Sequence, residues 1–337
     1  MKQMDFPGAG SATVVFPGRP WLWRLLKISV TLCTLAYIIV KIASEKEKLQ
    51  HALRLPDAGA LVALVAATLL LIVNLGFEAA KWRHLLLRHD GGFGFSRAFQ
   101  AVLCGIATGI FTPNRIGEYA GRLMYLRPEA RTAGAVYTFA NRLAQMLPTL
   151  WAGMWGLLLL AEKHGPVLAA QAPVSVAAIR GFAWISGLAG CLLLGAMLLL
   201  KYTKQLNIRI LSRRKLWAEL GAAFATLDMA SLLWVHGLSC LRYLVFSLQY
   251  YLLLRVCGYM GDVSDAFALI AVVFLLKSFL PAFSLAELGV RESVALAVMP
   301  LLGVEAFMAV GSAFLLYILN LVVPAIAGLV LLNRMKS

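Results

Sequence analysis

From about Trp23 to Leu332 the chain is a succession of apolar runs, most of them near the 20 residues that carry an α-helix across a hydrocarbon core. Backbone amides inside a bilayer find no water, so runs of this kind close their hydrogen bonds internally as helices. The expected fold class is therefore an all-α polytopic membrane protein. Composition agrees: 61% of the 337 residues are hydrophobic and 14% charged, with mean hydropathy +0.80, whereas about a quarter of a soluble protein is charged. No stretch reads as a soluble domain.

The 31 Lys and Arg outnumber the 16 Asp and Glu, but they sit in short loops between apolar runs. That placement reads as topology and contact with anionic lipid, not as a nucleic-acid surface. Lys2, Arg19, Arg24 and Lys27 place the N-terminus in the cytoplasm, and Trp23 to Lys41 reads as a retained first span, without a cleavable signal. Gly59 to Ala80 returns to a basic cluster of Lys81, Arg83, Arg88 and Arg97. Ala133 to Ala161 ends in a charge-poor loop, Gly181 to Leu200 meets the basic loop from Lys201 to Lys215, Met229 to Leu254 leads to Asp262 and Asp265, and Val304 to Leu332 returns to Arg334 and Lys336. The five cysteines lack metal or disulfide spacing and read as reduced thiols. No metal or cofactor is expected.

Two segments break the pattern. Ala98 to Leu126 is split by Pro113, and Ala266 to Pro300 by Pro281. In the first, each piece of about 14 residues is roughly 20 Å long, short of a core of about 30 Å. Loop charges require the chain to leave such a segment on the side it came from, so both read as re-entrant hairpins. The order span, span, broken hairpin, span then occurs twice with three crossings each, which predicts an inverted 3+3 transmembrane repeat. The division is a cytoplasmic segment over 1–22, one membrane domain over 23–332 with halves of about 23–161 and 181–332, and a tail over 333–337.

The hairpins also echo each other in charge. A shift of 169 positions lays Glu118 on Glu287 and Arg122 on Arg291, a Glu and an Arg four apart on one helical face in each copy. Thr112 with Pro113 reads as a helix start, and Ser284 with Glu287 as a capping box. Helix N-termini within the membrane, near Arg115, Arg122 and Arg291, suit a phosphate. Glu118, Glu287 and Glu292 either hold those arginines or exchange protons, and each Glu–Arg pair can equally be read as self-neutralising. Arg242, deep in its span with His236 and Gln249, and Arg142, beside Asn141 and Gln145, join the candidate substrate-binding set. Lys277 can snorkel, and Asn74 and Asn320 read as helix-packing contacts. His84, His89 and His164 read as loop residues, and Trp21, Trp23, Trp82, Trp217 and Tyr259 as an interfacial belt.

At TPNRIGEYAGRLMYL, Thr112 to Leu126, and AELGVRESVAL, Ala286 to Leu296, the chain resembles the lysylphosphatidylglycerol synthase transmembrane region family, flippase-like membrane proteins of bacteria and archaea. The likeness runs from about Trp23 to Leu332. It implies that Gly117, Glu118, Gly289, Val290, Arg291 and Glu292 are signature positions and that the protein sits in the cytoplasmic membrane. The approach to the second motif, Phe283 to Glu287, departs from the family's usual glycine-rich run. Synthases of the family carry a soluble catalytic domain after the membrane region, and this chain ends five residues after Leu332, so synthase activity is not expected. HExxH, GxSxG, Walker and Rossmann patterns are missing. The reading is a flippase or transporter of an anionic, phosphate-bearing lipid. A membrane-embedded lipid-modifying enzyme, for which Glu118, Glu292 and His236 offer groups without a demanding spacing, and a non-catalytic subunit of lipid or envelope biosynthesis stay open. So do a homo-oligomer and a biosynthetic partner.

Overall fold

The computed structural model describes residues 58–87, 91–110, 112, 115–171, 174–202, 228–280 and 287–334. The expected first span, the 204–215 part of the basic loop, Pro113, Pro281 and Ser284 lie outside them, as do His89, Trp21, Trp23 and Trp217. Among the described residues the elements are helical throughout. They are α1 (Ala58–Leu86), α2 (Phe95–Gly109), α3 (Gly117–Leu123), a 3-10 turn (Pro128–Ala130), α4 (Arg131–Lys163), α5 (Gly165–Gln171), α6 (Val176–Tyr202), α7 (Met229–Val256), α8 (Val263–Phe279), α9 (Glu287–Val298), a second 3-10 turn (Met299–Leu302), α10 (Ala306–Tyr317), a π-turn (Ile318–Val322) and α11 (Val323–Arg334).

Among the described residues, five helical stretches are long and apolar enough to cross a membrane: Ala58–Leu86, Pro128–Lys163, Val176–Leu199, Met229–Val256 and Ala306–Arg334. They coincide with the five expected spans that fall in the described residues. Their outward faces are apolar, with Leu61, Val62, Leu69 and Ile72 on α1, Trp184, Ile185, Leu188 and Leu192 on α6, and Leu233, Leu241 and Leu244 on α7 all exposed. Charged and amide side chains turn inward, the reverse of a soluble bundle, because hydrocarbon penalises them more than apolar surface. The chain is a multi-pass membrane protein.

Local chemistry sets the ends of several helices. Asp228 caps α7 by accepting from the Ser231 amide at 2.8 Å, and Asp262 caps α8 by accepting from the amides of Ser264 and Asp265 at 2.8 and 3.1 Å. The last span contains the π-turn, a distortion common at functional positions, and it carries Asn320.

Between the spans the chain doubles back. α2 and α3 lie against each other, and Arg97, near the start of α2, donates to the carbonyl of Tyr125, just past α3, at 3.0 Å. The start of α2 and the residues just past α3 therefore lie side by side. Glycines make the contact: a Cβ on Gly117 would fall 2.1 Å from the Thr108 carbonyl oxygen, and one on Gly121 2.5 Å from that of Cys104. With Gly105 and Gly109 on the facing helix, this is small-residue packing on both sides. For α8 and α9, the residues before α8 (Tyr259, Asp262) and those after α9 (Leu302, Glu305) line one small pocket, so this pair too begins and ends close together.

The packing between halves is reciprocal. α1 packs along α7, α2 on α11, and α8 on α4. The second and third contacts also rest on glycine, Gly328 against the Leu103 carbonyl and Gly156 against that of Ala268. Lys163 and His164, at the end of α4, meet Asp265 at 3.2 and 2.8 Å, which puts the α4 end and the α7–α8 loop at one end of the bundle.

Three local readings are corrected. α1 does not stop at Ala80 but runs to Leu86, so Lys81, Trp82 and His84 are helical. Trp82 is fully buried with its indole donating to Thr138 Oγ1 at 3.0 Å, and does not belong to an interfacial belt. His84 is helical and meets Ser231 Oγ at 2.9 Å, so it is not a loop residue, whereas His164 does lie between α4 and α5, where Asp265 holds it.

Candidate functional site

α1, α3, α4 and α7 each bring polar side chains to the middle of the bundle, and two carboxylates organise them. Glu78 on α1 accepts from Arg122 of α3 at 2.7 Å and from Asn141 of α4 at 2.8 Å through Oε1. Its Oε2 lies 3.1 Å from Arg242 of α7 and 3.3 Å from Lys81, one turn along α1. Glu118 on α3 pairs with Arg122 through one oxygen and with Arg142 of α4, at 2.6 Å, through the other. One carboxylate thus serves three cations and the other two, so the expected Glu118–Arg122 pair of the first hairpin is not self-contained.

An amide chain extends the network. Arg242 Nε donates to Asn74 at 2.7 Å, Asn74 to Asn320 at 2.8 Å, and Asn320 to Gln249 at 2.8 Å. Gln249 in turn donates to the Ala67 carbonyl at 2.8 Å. Asn74 and Asn320 do pack helices together, as their sequence positions suggested, and they also line the cavity described below. Lys81 donates to Gln145 at 3.0 Å and to Ser239 at 3.2 Å. Each buried polar group here costs free energy unless partnered, and the network partners most of them.

Arg115 stands at the turn into α3 with φ +56°, the left-handed region that costs a side-chain-bearing residue roughly 1–2 kcal/mol. Its carbonyl accepts from Arg142 at 3.1 Å. Thr112 does supply a cap of sorts, accepting from the Gly117 amide at 2.7 Å, but α3 begins at Gly117 and not immediately after Thr112. Strain of this kind persists where surrounding contacts over-determine the backbone, which is common at ligand sites.

A cavity of about 440 Å³ opens among these residues, continuous with a lobe of about 570 Å³ that shares much of its lining. Among the described residues, the first part is lined by the cations Arg115, Arg122, Arg142, Arg242, Lys277 and Arg291 and by the carboxylates Glu78 and Glu118. The second lobe adds the apolar wall of Tyr243, Phe274 and Leu280 to the Phe246 and Met146 that both share. Arg291, on α9, brings the second hairpin to the same cavity, with its guanidinium 6.0 Å from the centre of the Phe246 ring.

Of the residues expected to bind substrate, Arg115, Glu118, Arg122, Arg142, Arg242 and Arg291 line this cavity. Glu292 is buried on α9 but outside the lining, and Glu287 opens α9, its side chain lying outside the description. His236 packs edge-on against Trp151 and 3.6 Å from Cys240, away from the cavity, so it does not join Glu118 and Glu292 in one constellation. Among the described residues no cluster of His, Cys, Asp and Glu is arranged to hold a metal.

Sequence reasoning missed Glu78, the carboxylate at the centre, and placed Lys81 in a basic loop although it is completely buried. A signal was present: Glu78 and Lys81 are i,i+3 neighbours at the end of an apolar run, where a lone carboxylate is expensive. No curated protein matches the chain. The model of one family, described as the lysylphosphatidylglycerol synthase TM region, matches residues 24–328, a range that includes every residue lining the cavity; the chain belongs to that family.

Proposed function

We propose that this protein is a flippase-like lipid transporter that takes an anionic, phosphate-bearing headgroup into the central cavity and passes it across a bacterial or archaeal cytoplasmic membrane. The family is one of lipid biosynthesis or transport. The observation that carries the reading is the cavity itself: six cationic side chains against two carboxylates, between membrane helices, where charge is expensive. Five of the six are arginines, from α3, α4, α7, α9 and the turn before α3, and arginine offers the planar fork that fits phosphate oxygens.

The rest of the architecture supports motion around such a site. Helix α2 is about 22 Å long and α8 about 25 Å, both short of a core of about 30 Å, and each is followed by a helix that turns back. We read them as re-entrant hairpins. The reciprocal pairing of α2 with α11 and of α8 with α4, around the α1–α7 contact, is what an inverted repeat requires, and such repeats rock about a fixed central site. In this reading Glu78 and Glu118 hold the arginines in register while the apolar lobe accommodates the start of the lipid chain.

The test is translocation of a fluorescent phosphatidylglycerol analogue in vesicles containing the purified protein. Transfer above that of protein-free vesicles is expected. Arg122→Gln and Arg142→Gln should each slow it by about tenfold or more, since a lost charged hydrogen bond costs roughly 1.5–3 kcal/mol. Transfer no faster than in empty vesicles, with folded protein, would remove the transport reading.

A further inference from the structure

Resting on that reading, we infer that the headgroup the cavity selects ends in a terminal phosphate, as a monoester or diphosphate with about two negative charges, and not in the singly charged phosphodiester of an ordinary glycerophospholipid. The argument is one of charge and of donors. Among the described residues six cations and two carboxylates line the cavity, a surplus of four positive charges. Buried Lys81 and Glu292, which flank the lining, add one charge of each sign and leave that surplus unchanged. Both lining carboxylates are already shared, Glu78 among Arg122, Arg242 and Lys81 and Glu118 between Arg122 and Arg142. A single ligand charge leaves most of the surplus uncompensated in a low-dielectric surrounding, where that costs most.

The donors point the same way. Arg291 is 8% exposed, and its Nε and Nη1 have no hydrogen-bond partner; Arg122 is 2% exposed, and its Nε and Nη1 likewise have none. A buried guanidinium with unpartnered N–H groups is rare unless something absent from the protein alone completes it. Here two such arginines, one from each hairpin, border one cavity. A phosphodiester offers two non-bridging oxygens, whereas a terminal phosphate offers three acceptor oxygens and nearly twice the charge.

The test uses the full-length protein in nanodiscs and competition for binding of a fluorescent phosphatidic acid. The competitors are phosphatidic acid, phosphatidylglycerol and phosphatidylcholine, with inorganic pyrophosphate as the free anion. Phosphatidic acid should compete about tenfold better than phosphatidylglycerol at about pH 8, and the ratio should shrink towards unity at about pH 5, because the monoester's second proton leaves near pH 6. Among the described residues the protein groups facing the site are Arg115, Arg122, Arg142, Arg242, Lys277, Arg291, Glu78 and Glu118, with no histidine, the residue whose ordinary range overlaps that window. Arg291→Gln should weaken phosphatidic acid more than phosphatidylglycerol, and Arg291→Lys should keep part of the preference if the glutamine variant fails to fold. Equal competition by the two anionic lipids at pH 8 would overturn this inference and leave the anionic-lipid reading standing. Phosphatidylcholine competing as well as either would overturn both. Pyrophosphate matching phosphatidic acid would assign the cavity to a soluble anion and overturn the lipid reading as well.

Discussion

Replacing Glu78 by glutamine keeps the side-chain volume but withdraws one negative charge from between Arg122, Arg242 and Lys81, at 2.7, 3.1 and 3.3 Å. Removing one partner of a buried ion pair costs about 3–5 kcal/mol, because the charges left behind stay desolvated. Three cations lose a carboxylate here, with Arg122 keeping Glu118, which argues for the upper end; the glutamine oxygen still accepts one hydrogen bond, which returns about 1 kcal/mol. A net loss of about 3–4 kcal/mol follows. At an unfolding entropy of roughly 2 cal/mol/K per residue, a chain of this length loses about 4–6 °C in Tm. The assay is thermal unfolding of purified protein in detergent, with the exposed Glu129→Gln as a control that should not shift. The double variant Glu78→Gln/Lys81→Met removes one charge of each sign and should recover part of the loss, since it relieves the excess of positive charge. A Glu78→Gln protein that melts within about 1 °C of wild type, or a double variant no more stable than the single one, would refute the idea that this carboxylate holds the lattice together.

Gly121→Val should pry α3 from α2, since even a Cβ there would sit 2.5 Å from the Cys104 carbonyl oxygen; overpacking of that kind costs about 1–3 kcal/mol, and proteolysis between the helices should quicken. Arg142→Gln should change Tm by less than about 1 kcal/mol's worth, because its side chain is 34% exposed, yet slow lipid transfer as strongly as Arg122→Gln. The cap at Asp262 gives a pH signature. Hydrogen bonds from Ser264 and the Asp265 amide hold its carboxyl down to about 2 from an ordinary 3.8, so its support for α8 is present above about pH 4 and is lost as pH falls towards 2. The protection of amides at the start of α8, measured against their intrinsic exchange rate at each pH, should fall over that window in wild type and stay constant there in Asp262→Ala. Cysteines introduced at Ala170 and Gly258 should both react with an impermeant thiol reagent from outside; reaction of both only from inside would reverse the orientation read from loop charge.

Much of this fold is written in hydropathy. Five spans were legible because each is a long apolar run, and a membrane span depends on its own length and composition more than on distant partners. The short helices α2 and α8 were legible for the same reason, as apolar runs that end early. Their glycine contacts are different. Gly117 and Gly121 declare themselves small in the sequence, but that they lie on the carbonyls of Thr108 and Cys104 is a property of two helices meeting. Helix ends suffered most. α1 continues through Lys81 and Trp82 because tertiary partners on α4 and α7 absorb their polar atoms, and nothing near them in the sequence announces those partners.

The site divides along the same line. Arg115, Glu118, Arg122, Arg142, Arg242 and Arg291 stood out because each is charged inside apolar sequence, and burial of charge is costly wherever it occurs. What the charges do was not legible, since it depends on sharing. Glu118 and Arg122 look like a closed pair at i,i+4, but Arg122 also reaches Glu78, 44 positions earlier, and Glu118 also reaches Arg142, 24 positions later. Among the described residues the cavity is positive because its cations outnumber its carboxylates, and sharing spreads the two negative charges over several of them. The property on which the lipid reading depends therefore comes from which helices meet: α1 carrying Glu78 against α7 carrying Arg242, with α3 wedged beside α4. Loosening any one of those contacts should change the charge presented to a ligand before it unfolds the protein, so Gly121→Val is expected to weaken anion binding even in the fraction that remains folded.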